Sequence, residues 1–161
     1  MRSEQEAKLA IEKYADTVRR ICFVHLKNYH DTEDVFQDVF LKYVLCGVEF
    51  ESDAHEKAWL IRVAINASKD TLKSFFRRKV YSVEELVTEP FYIEDDKREV
   101  LDAVLRLPPK YKNVIYLFYY EGYSAVEIAA MLHKKENTVY TWLSRAKTQL
   151  KTSLGGAPLD E

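Results

Sequence analysis

Residues 122–150, GYSAVEIAAMLHKKENTVYTWLSRAKTQL, constrain the fold more than any other stretch of the chain. Ser124 and Glu127 have the spacing of a capping box, which predicts the start of a helix. Apolar residues then recur at helical spacing as far as Leu132, and His133 interrupts the pattern. A second apolar stripe follows at Val139, Trp142, Leu143, Ala146 and Leu150. The stretch is therefore predicted to form two helices joined by a tight turn.

The second predicted helix carries polar side chains opposite its apolar stripe. These side chains are Asn137, Thr138, Thr141, Ser144, Arg145 and Lys147. Amide, hydroxyl and guanidinium groups hydrogen bond to base edges and phosphates. A short helix, a turn and a longer helix with such a face are typical of a helix-turn-helix, whose second helix enters the major groove. An ordinary helical hairpin in a bundle core would show the same apolar pattern.

The composition is typical of a globular, mostly helical protein. The chain has 161 residues, of which 47% are hydrophobic and 31% charged, with only 4 glycines and 4 prolines. No apolar run approaches the ~18 residues of a membrane span, and no signal-peptide segment is present. Cys22 and Cys46 lie among apolar residues and are interpreted as thiols of the core. The histidines do not have the spacing of metal ligands. We expect a cytoplasmic protein without membrane insertion, metal or cofactor.

The net charge is −2, but the charged residues are distributed unevenly, in three blocks that each have an excess of one sign. Residues 53–81 contain seven basic and three acidic residues, and residues 134–151 contain five basic residues and one acidic residue. Between these blocks, residues 84–99 contain seven acidic and two basic residues. A single charge run is usually a solvated helix face. Two basic blocks, one of them on the predicted helix-turn-helix, favour two nucleic-acid contacts joined by an acidic linker.

Three helices are predicted in the N-terminal half. The first covers residues 4–27, and the second covers residues 32–45 with Asp31 as its cap. The second helix turns Val35, Phe36, Val39, Phe40 and Tyr43 toward a core and leaves Asp34, Gln37, Asp38 and Lys42 outside. A capping box from Asp53 predicts a third helix over residues 54–76. Spacings of three and four place Arg62, Asn66, Lys69 and Lys73 on one face of that helix.

The predicted fold class is all-α, with two small helical domains joined by an acidic linker. The domains cover residues 1–79 and 95–153, and the linker covers residues 80–94. The C-terminal domain contains the helix-turn-helix, preceded by helices over residues 95–107 and from Pro109 to a C-cap at Gly122. Residues 154–161 are expected to be a short tail, with no further regulatory domain.

Three blocks, in order, carry a resemblance to a known family. The first block is DTEDVFQDVFLKY at 31–43. The second is AWLIRVAINASKDTLK at 58–73, which contains the pattern Trp-Leu-x-x-x-Ala-x-Asn. The third is residues 107–150. Together they resemble the bacterial RNA polymerase sigma factors of the extracytoplasmic-function group. The block at 31–43 is similar to the family's segment for binding core polymerase. The block at 58–73 is similar to its helix for reading and melting the minus-10 element, and residues 107–150 resemble its minus-35-reading domain.

The resemblance implies partners and sites. The partners would be core RNA polymerase, through its clamp coiled coil and its flap, promoter DNA and an anti-sigma factor. The clamp would meet Asp34, Gln37, Asp38 and Lys42. The minus-10 element would meet Phe50, Trp59, Arg62, Asn66, Lys69, Lys73, Arg77 and Arg78. The minus-35 element would meet Lys134, Lys135, Asn137, Thr138, Tyr140, Thr141, Ser144, Arg145 and Lys147.

The turn of the predicted helix-turn-helix departs from the family's pattern. His133 stands where a turn glycine is usual, Lys134 where a β-branched apolar residue is common, and Lys135 where a hydroxyl cap is usual. A lysine side chain has no acceptor for free amides, and Asn137 is the nearest residue that does. We therefore predict that the recognition helix starts at or just after Asn137. Lys134 and Lys135 would then lie in the loop beside the DNA backbone.

Two other classes of protein compete with this interpretation. A conventional helix-turn-helix regulator would account for residues 107–150 but leaves the acidic face of 31–43 and the basic helix of 58–78 without a role. An enzyme would need a paired acid and base, a glycine-rich phosphate loop or a nucleophile motif, and we find none in the sequence. The sequence therefore favours a non-enzymatic sigma factor.

Overall fold

The computed structural model describes residues 1–78 and 95–155, without the side chains of residues 75–78 and 95–97. Backbone contacts divide the chain into an N-terminal unit, residues 1–91, and a C-terminal unit, residues 92–161. The regular elements are α1 Glu4–Leu26, α2 Tyr29–Leu45, α3 Asp53–Arg78, α4 Asp95–Leu105, α5 Pro109–Ile115, a π-helical segment Tyr116–Tyr120, α6 Ala125–Leu132 and α7 Glu136–Ser153. The predicted all-α class is confirmed. The predicted linker, residues 80–94, lies outside the described residues.

In the N-terminal unit, α1, α2 and α3 each pack against the other two. Its core is formed by Tyr14, Val18, Ile21, Phe23, Val35, Val39, Phe40, Tyr43, Leu60, Ile61, Ala64 and Ile65. Apolar spacing alone would also turn Val63 and Leu72 of α3 inward, but both are half-buried, whereas Ile61 and Ile65 are buried. This difference follows from the packing, because α1 and α2 together cover a wider stripe of α3 than one neighbour would.

Helix α2 starts earlier than predicted, at Tyr29 rather than at residue 32. Its cap is Asn28, whose side-chain oxygen accepts a hydrogen bond of 2.8 Å from the amide of Asp31. The prediction of Asp31 as cap is therefore wrong. Lys27 ends α1 in the left-handed region, with φ at 63°, so the chain turns sharply and enters the next helix within two residues.

Helix α3 starts one residue earlier than predicted, at Asp53. The hydroxyl of Ser52 accepts from the amide of His55 at 3.1 Å, so Ser52 is the cap and the predicted capping box from Asp53 is wrong. The Asp53 carboxylate pairs instead with Lys13 at 2.7 Å, and Glu56 accepts a hydrogen bond from Tyr43. Both carboxylates are thus engaged with neighbouring helices rather than with the start of their own.

The C-terminal unit is built around α7, which packs against α5 and α6. Its buried apolar residues include Leu107, Tyr111, Val114, Leu117, Ile128, Val139, Leu143 and Leu150. Pro109 is the first residue of α5, as predicted, because a proline there sacrifices no helical hydrogen bond. Gly122 follows the π-helical segment with φ at 80°, a left-handed conformation that favours glycine. Among the described helices of both units, none is long and apolar enough to cross a membrane.

Candidate nucleic-acid interface

The predicted helix-turn-helix is present in the C-terminal unit as α6, residues 133–135 and α7. Its first helix opens with the predicted capping box. The amide of Glu127 donates to the Ser124 hydroxyl at 3.1 Å, and the Glu127 carboxylate accepts from the Ser124 amide at 2.9 Å. Ile128 of α6 and Val139 of α7 are fully buried, which fixes the two helices against each other. The opposite side of α7 is left to solvent.

The turn itself differs from the sequence-based prediction. Helix α7 begins at Glu136, with Lys135 at the cap position and no side-chain hydrogen bond to the first amides. Asn137 therefore does not cap the helix, and the predicted start at or after it is wrong. His133 adopts the left-handed conformation, with φ at 54°, at the end of α6. The Lys135 carbonyl already accepts from the Val139 amide at 3.2 Å, so Asn137 lies inside the first turn of α7. Lys134 does lie in the loop, as predicted, and its side chain is exposed.

Most of the predicted reading residues of α7 share one solvent-facing surface. Asn137, Tyr140, Thr141, Ser144 and Arg145 are all exposed, with 55% of Tyr140 accessible. Two others lie at the edge of this surface and are half-buried. They are Thr138 and Lys147, and the Lys147 ammonium lies 5.7 Å from the centroid of the Tyr119 ring. The exposed residues offer amide, hydroxyl, phenol and guanidinium groups along one face.

A groove between α6 and the start of α7 adjoins the exposed polar face of α7. Val126 and Ala130 lie on its α6 side, and Lys134, Lys135 and Asn137 lie on its other side. Val126 is 50% exposed, and its exposure was not predicted from the sequence. Its position just inside the α6 capping box, on the opposite side from Ile128, is the signal that could have identified it.

A second cationic surface runs along α3 of the N-terminal unit. Arg62, Asn66, Lys69 and Lys73 are all exposed, as their spacing predicted. None of the four forms an ion pair with another described residue. Asn66 is the single amide in this row of positive charges. The backbone of α3 includes Arg77 and Arg78, but their side chains lie outside the described residues.

An aromatic cluster lies at the N-terminal end of this α3 surface. The Phe50 ring lies 5.7 Å from the Trp59 ring and 6.1 Å from the Tyr43 ring, to which it is parallel within 1°. Trp59 precedes Asn66 by seven residues, so both belong to one face of α3, about 10 Å apart along its axis. The cluster therefore brings Phe50, from the loop between α2 and α3, to the end of the cationic surface.

The predicted outer face of α2 is also exposed. Asp34, Gln37, Asp38 and Lys42 are accessible, and Asp34 has only a 3.7 Å contact with His30 as an ion-pair candidate among the described residues. Two apolar residues that were not predicted from the sequence join this face. They are Leu41 and Leu45, which are 56% and 61% exposed. Their spacing of four, opposite the buried Val39 and Tyr43, is the signal that could have found them.

Burial shifts two ionisable groups in the N-terminal unit. Burial, together with the hydrogen bond to Glu56, raises the pKa of the Tyr43 phenol above its usual range. Burial also raises the pKa of the Cys22 thiol to about 12, so this thiol is inert near neutral pH. Cys22 is fully buried, as a core thiol should be, and Cys46 is half-buried with its sulfur donating to the Tyr43 carbonyl at 3.2 Å. Neither cysteine is in a disulfide.

Comparison with protein families identifies both units. The family model for Sigma-70 region 2 matches residues 10–79. The family model for Sigma-70, region 4, matches residues 97–150. The first match spans α1 to α3, including the α2 and α3 surfaces that a conventional helix-turn-helix regulator would leave without a role. That alternative is therefore not favoured.

Similar proteins of the same kind cover most of the chain. The ECF RNA polymerase sigma factor SigW of Bacillus subtilis is 26% identical over 89% of this chain and 86% of its own. The ECF RNA polymerase sigma factor SigM of Mycobacterium tuberculosis is 28% identical over 86% of this chain and 71% of its own.

A solved structure shares the fold. It is the sigma factor RpoE in complex with the anti-sigma factor NepR from Bartonella quintana, with a TM-score of 0.76 and 21% identity over 94% of this chain and 98% of that one. The two region matches fall, in the family's order, on the two units that carry the exposed α2, α3 and α7 surfaces. The chain belongs to the extracytoplasmic-function group of the sigma-70 family, whose members direct promoter-specific transcription by RNA polymerase.

Proposed function

We propose that this sigma factor divides promoter recognition and polymerase binding among three surfaces. The α3 surface consists of Phe50, Trp59, Arg62, Asn66, Lys69, Lys73, Arg77 and Arg78 and reads the minus-10 element. The α7 surface consists of Lys134, Lys135, Asn137, Thr138, Tyr140, Thr141, Ser144, Arg145 and Lys147 and reads the minus-35 element. The α2 surface consists of Asp34, Gln37, Asp38 and Lys42 and binds the polymerase clamp. Residues 1–79 and 95–153 are the proposed domain limits.

The observation that carries this proposal is the composition of the α3 surface. A single exposed amide, Asn66, lies in a row of cations without ion-pair partners in the described part of the chain, two turns from Trp59. Cations neutralise phosphates without regard to sequence, whereas an amide hydrogen bonds to a base edge. Extracting a base costs a few kcal/mol of stacking, and contacts with aromatic side chains offset such a cost. The α3 surface combines all three kinds of contact.

The α7 surface is suited to duplex DNA. Its exposed hydroxyl, amide and guanidinium groups lie on the second helix of a helix-turn-helix, which enters the major groove in this motif. Thr141 also donates its hydroxyl to the Asn137 carbonyl at 2.9 Å, so its methyl group and hydroxyl are held in one orientation. The loop lysines, Lys134 and Lys135, lie before the helix and are assigned to the DNA backbone.

The α2 surface is suited to a basic partner. Two carboxylates, those of Asp34 and Asp38, project from one side of an exposed helix face and complement a basic coiled coil of the polymerase clamp. The exposed Leu41 and Leu45 continue the same face and supply apolar area at its end. We further propose that the C-terminal unit docks on the polymerase flap, and that the chain itself catalyses no step.

An anti-sigma factor completes the proposed set of partners. The structurally similar RpoE is bound to the anti-sigma factor NepR, which supports a dedicated inhibitor for this chain as well. The chemistry of the three surfaces favours a partner that covers the α2 surface, because occupying it would exclude the clamp.

Site-specific photo-crosslinking in the reconstituted holoenzyme tests the assignment of surfaces. A photo-reactive side chain replaces Lys73 on the α3 surface, Ser144 on the α7 surface or, as a control, the exposed Lys8 of α1. On a promoter-bound complex, the probe at position 73 should label the minus-10 region and the probe at position 144 the minus-35 region. The probe at position 8 should label neither. Exchanged or absent labelling at positions 73 and 144 would remove the proposed assignment.

A further inference from the structure

Arg2 connects the end of α2 with the loop that carries Phe50. Its backbone amide donates to the carbonyl of Val44 at 2.9 Å. Its guanidinium donates to the carbonyl of Val48 and contacts the sulfur of Cys46 at 3.6 Å. One residue thus holds three points between the last turn of α2 and the middle of the loop.

The same guanidinium also lies on the aromatic cluster of the α3 surface. Its central carbon is 4.6 Å from the centroid of the Tyr43 ring and 4.9 Å from that of Phe50. A planar cation over an aromatic face is attracted by the electrons of the ring, and the attraction grows as water is excluded. Arg2 is half-buried, so water screens its attraction to the two rings less than it would at an exposed site. The position of the Phe50 ring therefore depends on Arg2 as well as on Trp59.

The loop itself has no regular structure to hold it. Residues 46–50 are neither helix nor strand, and regular hydrogen bonding resumes only at the α3 cap. On its far side the loop is fixed by the Glu51 amide, which donates to Nδ1 of His55 at 3.1 Å. Arg2 supplies the matching anchor on the near side. Between the two anchors lies Phe50, the loop residue that reaches Trp59.

We propose that Arg2 is a positioning residue for minus-10 recognition, which holds the loop so that Phe50 stays against Tyr43 and Trp59 at the end of the α3 surface. This inference rests on the proposed role of the α3 surface. Arg2 acts through Phe50 and the loop and touches no DNA in this account. Its loss loosens the wall of the site where an unstacked base would be captured, so the penalty for a wrong base becomes smaller.

The chemistry of the contact is specific to arginine. The guanidinium is planar and has several donors in fixed directions, so it stacks on two rings while donating to the Val48 carbonyl. A lysine at this position keeps the charge and a donor but cannot stack as a plane. Arg2→Lys should therefore restore only part of the function that Arg2→Ala removes.

The test measures base discrimination by holoenzyme on templates pre-melted at the minus-10 element. Open-complex formation is compared for the preferred base and for each substituted base, with wild type, Arg2→Ala, Arg2→Lys and the control Lys8→Ala, which removes an exposed charge of α1. Arg2→Ala should lower the discrimination ratio about fivefold, Arg2→Lys should fall between it and wild type, and Lys8→Ala should match wild type. Binding to core enzyme should be unchanged in all four proteins.

Two results would overturn the inference about Arg2 alone. A third would overturn the proposed role of the α3 surface, on which the inference rests. If Arg2→Ala discriminates between bases as wild type does while Phe50→Ala and Asn66→Ala lose discrimination, Arg2 has no positioning role. The proposed role of the α3 surface would then be unaffected. Tighter binding of single-stranded minus-10 DNA by Arg2→Ala would show that Arg2 obstructs the site, contrary to the inference. Full discrimination in both Phe50→Ala and Asn66→Ala would instead remove the α3 surface, and the role of Arg2 with it.

Fluorescence of Trp59 checks the loop independently of DNA. In a Trp142→Phe background, Trp59 is the only tryptophan, since the chain contains 2. Arg2→Ala should shift the emission of Trp59 to longer wavelength, because a displaced Phe50 admits water to the indole, with unchanged helix content by circular dichroism. Unchanged emission in the folded variant would show that the loop does not need Arg2.

Discussion

The hydroxyl of Tyr43 donates a hydrogen bond of 2.7 Å to the carboxylate of Glu56. Tyr43 belongs to α2 and Glu56 to the first turn of α3, so this bond joins the helix of the proposed polymerase-binding surface to the helix of the proposed minus-10 surface. The Tyr43 ring also contacts Phe50, Trp59 and the guanidinium of Arg2. One buried aromatic residue thereby ties together the parts of the N-terminal unit that carry both proposed functions.

Tyr43→Phe should destabilise the N-terminal unit by about 1–2 kcal/mol, because Glu56 loses its donor while the ring is kept. Urea unfolding followed by circular dichroism measures this loss. The control is Tyr29→Phe, which removes an exposed hydroxyl that donates to Glu33 at 3.3 Å, and its effect should be smaller. An equal loss in the two variants would mean that the Tyr43 bond contributes no more than a surface contact.

The same substitution should change the dependence of stability on alkaline pH. The pKa of Tyr43 is raised in the folded protein. Its contribution to the free energy of unfolding is therefore complete below the pKa in the unfolded chain, about 10, and is lost as the pH rises toward the pKa in the folded protein. Tyr43→Phe should therefore lose less stability above pH ~10 than wild type does. The remaining loss would come from Lys13, Tyr14 and Cys22, whose pKa values are also raised. Identical alkaline profiles would contradict this attribution.

Asp34→Lys combined with Asp38→Lys should abolish binding to core polymerase without unfolding the N-terminal unit. Both side chains are exposed, and the reversal replaces attraction to a basic partner with repulsion. The matched control is Glu12→Lys with Asp16→Lys, which reverses two exposed charges at the same spacing on α1. Co-elution with core enzyme on size exclusion provides the measurement. Unchanged affinity of the α2 variant would remove this face from polymerase binding.

Asn66→Ala should weaken open-complex formation on duplex promoters more than on templates pre-melted at the minus-10 element. The amide is exposed beside the cations of α3, where it can help to capture a base as the strands separate. Gln5→Ala removes an exposed amide from α1 and serves as the control. An equal loss on both templates would show that Asn66 does not assist strand separation beyond reading the base, and no loss on either would make Asn66 a structural residue.

Replacing Lys134 and Lys135 with alanine should weaken binding to all minus-35 sequences by a similar factor. Each phosphate contact contributes about one unit to the slope of log affinity against log salt, so this slope should fall by about two units. Thr141→Ala or Arg145→Ala should instead change base preference, at about 1–3 kcal/mol per good contact. Lys8→Ala with Lys151→Ala removes two exposed lysines outside the turn as a control. A changed base preference with an unchanged salt slope would place the two lysines in the reading head.

His133→Gly should stabilise the C-terminal unit by about 1 kcal/mol, because His133 occupies the left-handed region at a position where glycine carries no steric penalty. Thermal unfolding should show a higher midpoint for this variant. His133→Ala is the control and should give no gain, since alanine keeps the Cβ atom that the conformation disfavours. A lower midpoint for His133→Gly would mean that the imidazole makes a stabilising contact worth more than the strain.

Apolar spacing and capping differed in how well they predicted this fold. The helices and the exposed face of α3 followed from periodicity, because packing on one side of a helix imposes a repeat on its apolar residues. The caps of α2 and α3 were misassigned, because several residues at each start could accept from a free amide. At α3 a tertiary contact decides between them, since Asp53 pairs with Lys13 and leaves the capping role to Ser52.

Of the remaining differences, one arises from contacts between residues distant in sequence and one from a local backbone conformation. Nothing near Arg2 in the sequence indicates that its guanidinium lies on Tyr43 and Phe50, more than forty residues away. The difference at the start of α7 is local, because His133 adopts the left-handed conformation and α7 begins at Glu136 without a capping side chain. The turn lysines were placed in the loop correctly even though the predicted start of the helix was wrong.

Run-off transcription from a randomised promoter library, with purified core polymerase and this chain, tests whether the chain directs promoter-specific initiation. Transcripts should appear only when both components are present, and two separate sequence elements should be enriched among the active templates. Arg145→Ala should alter the selected bases of the upstream element alone, and Asn66→Ala those of the downstream element alone. Promoter-independent transcription, or selective DNA binding by the chain without any stimulation of core polymerase, would contradict the account.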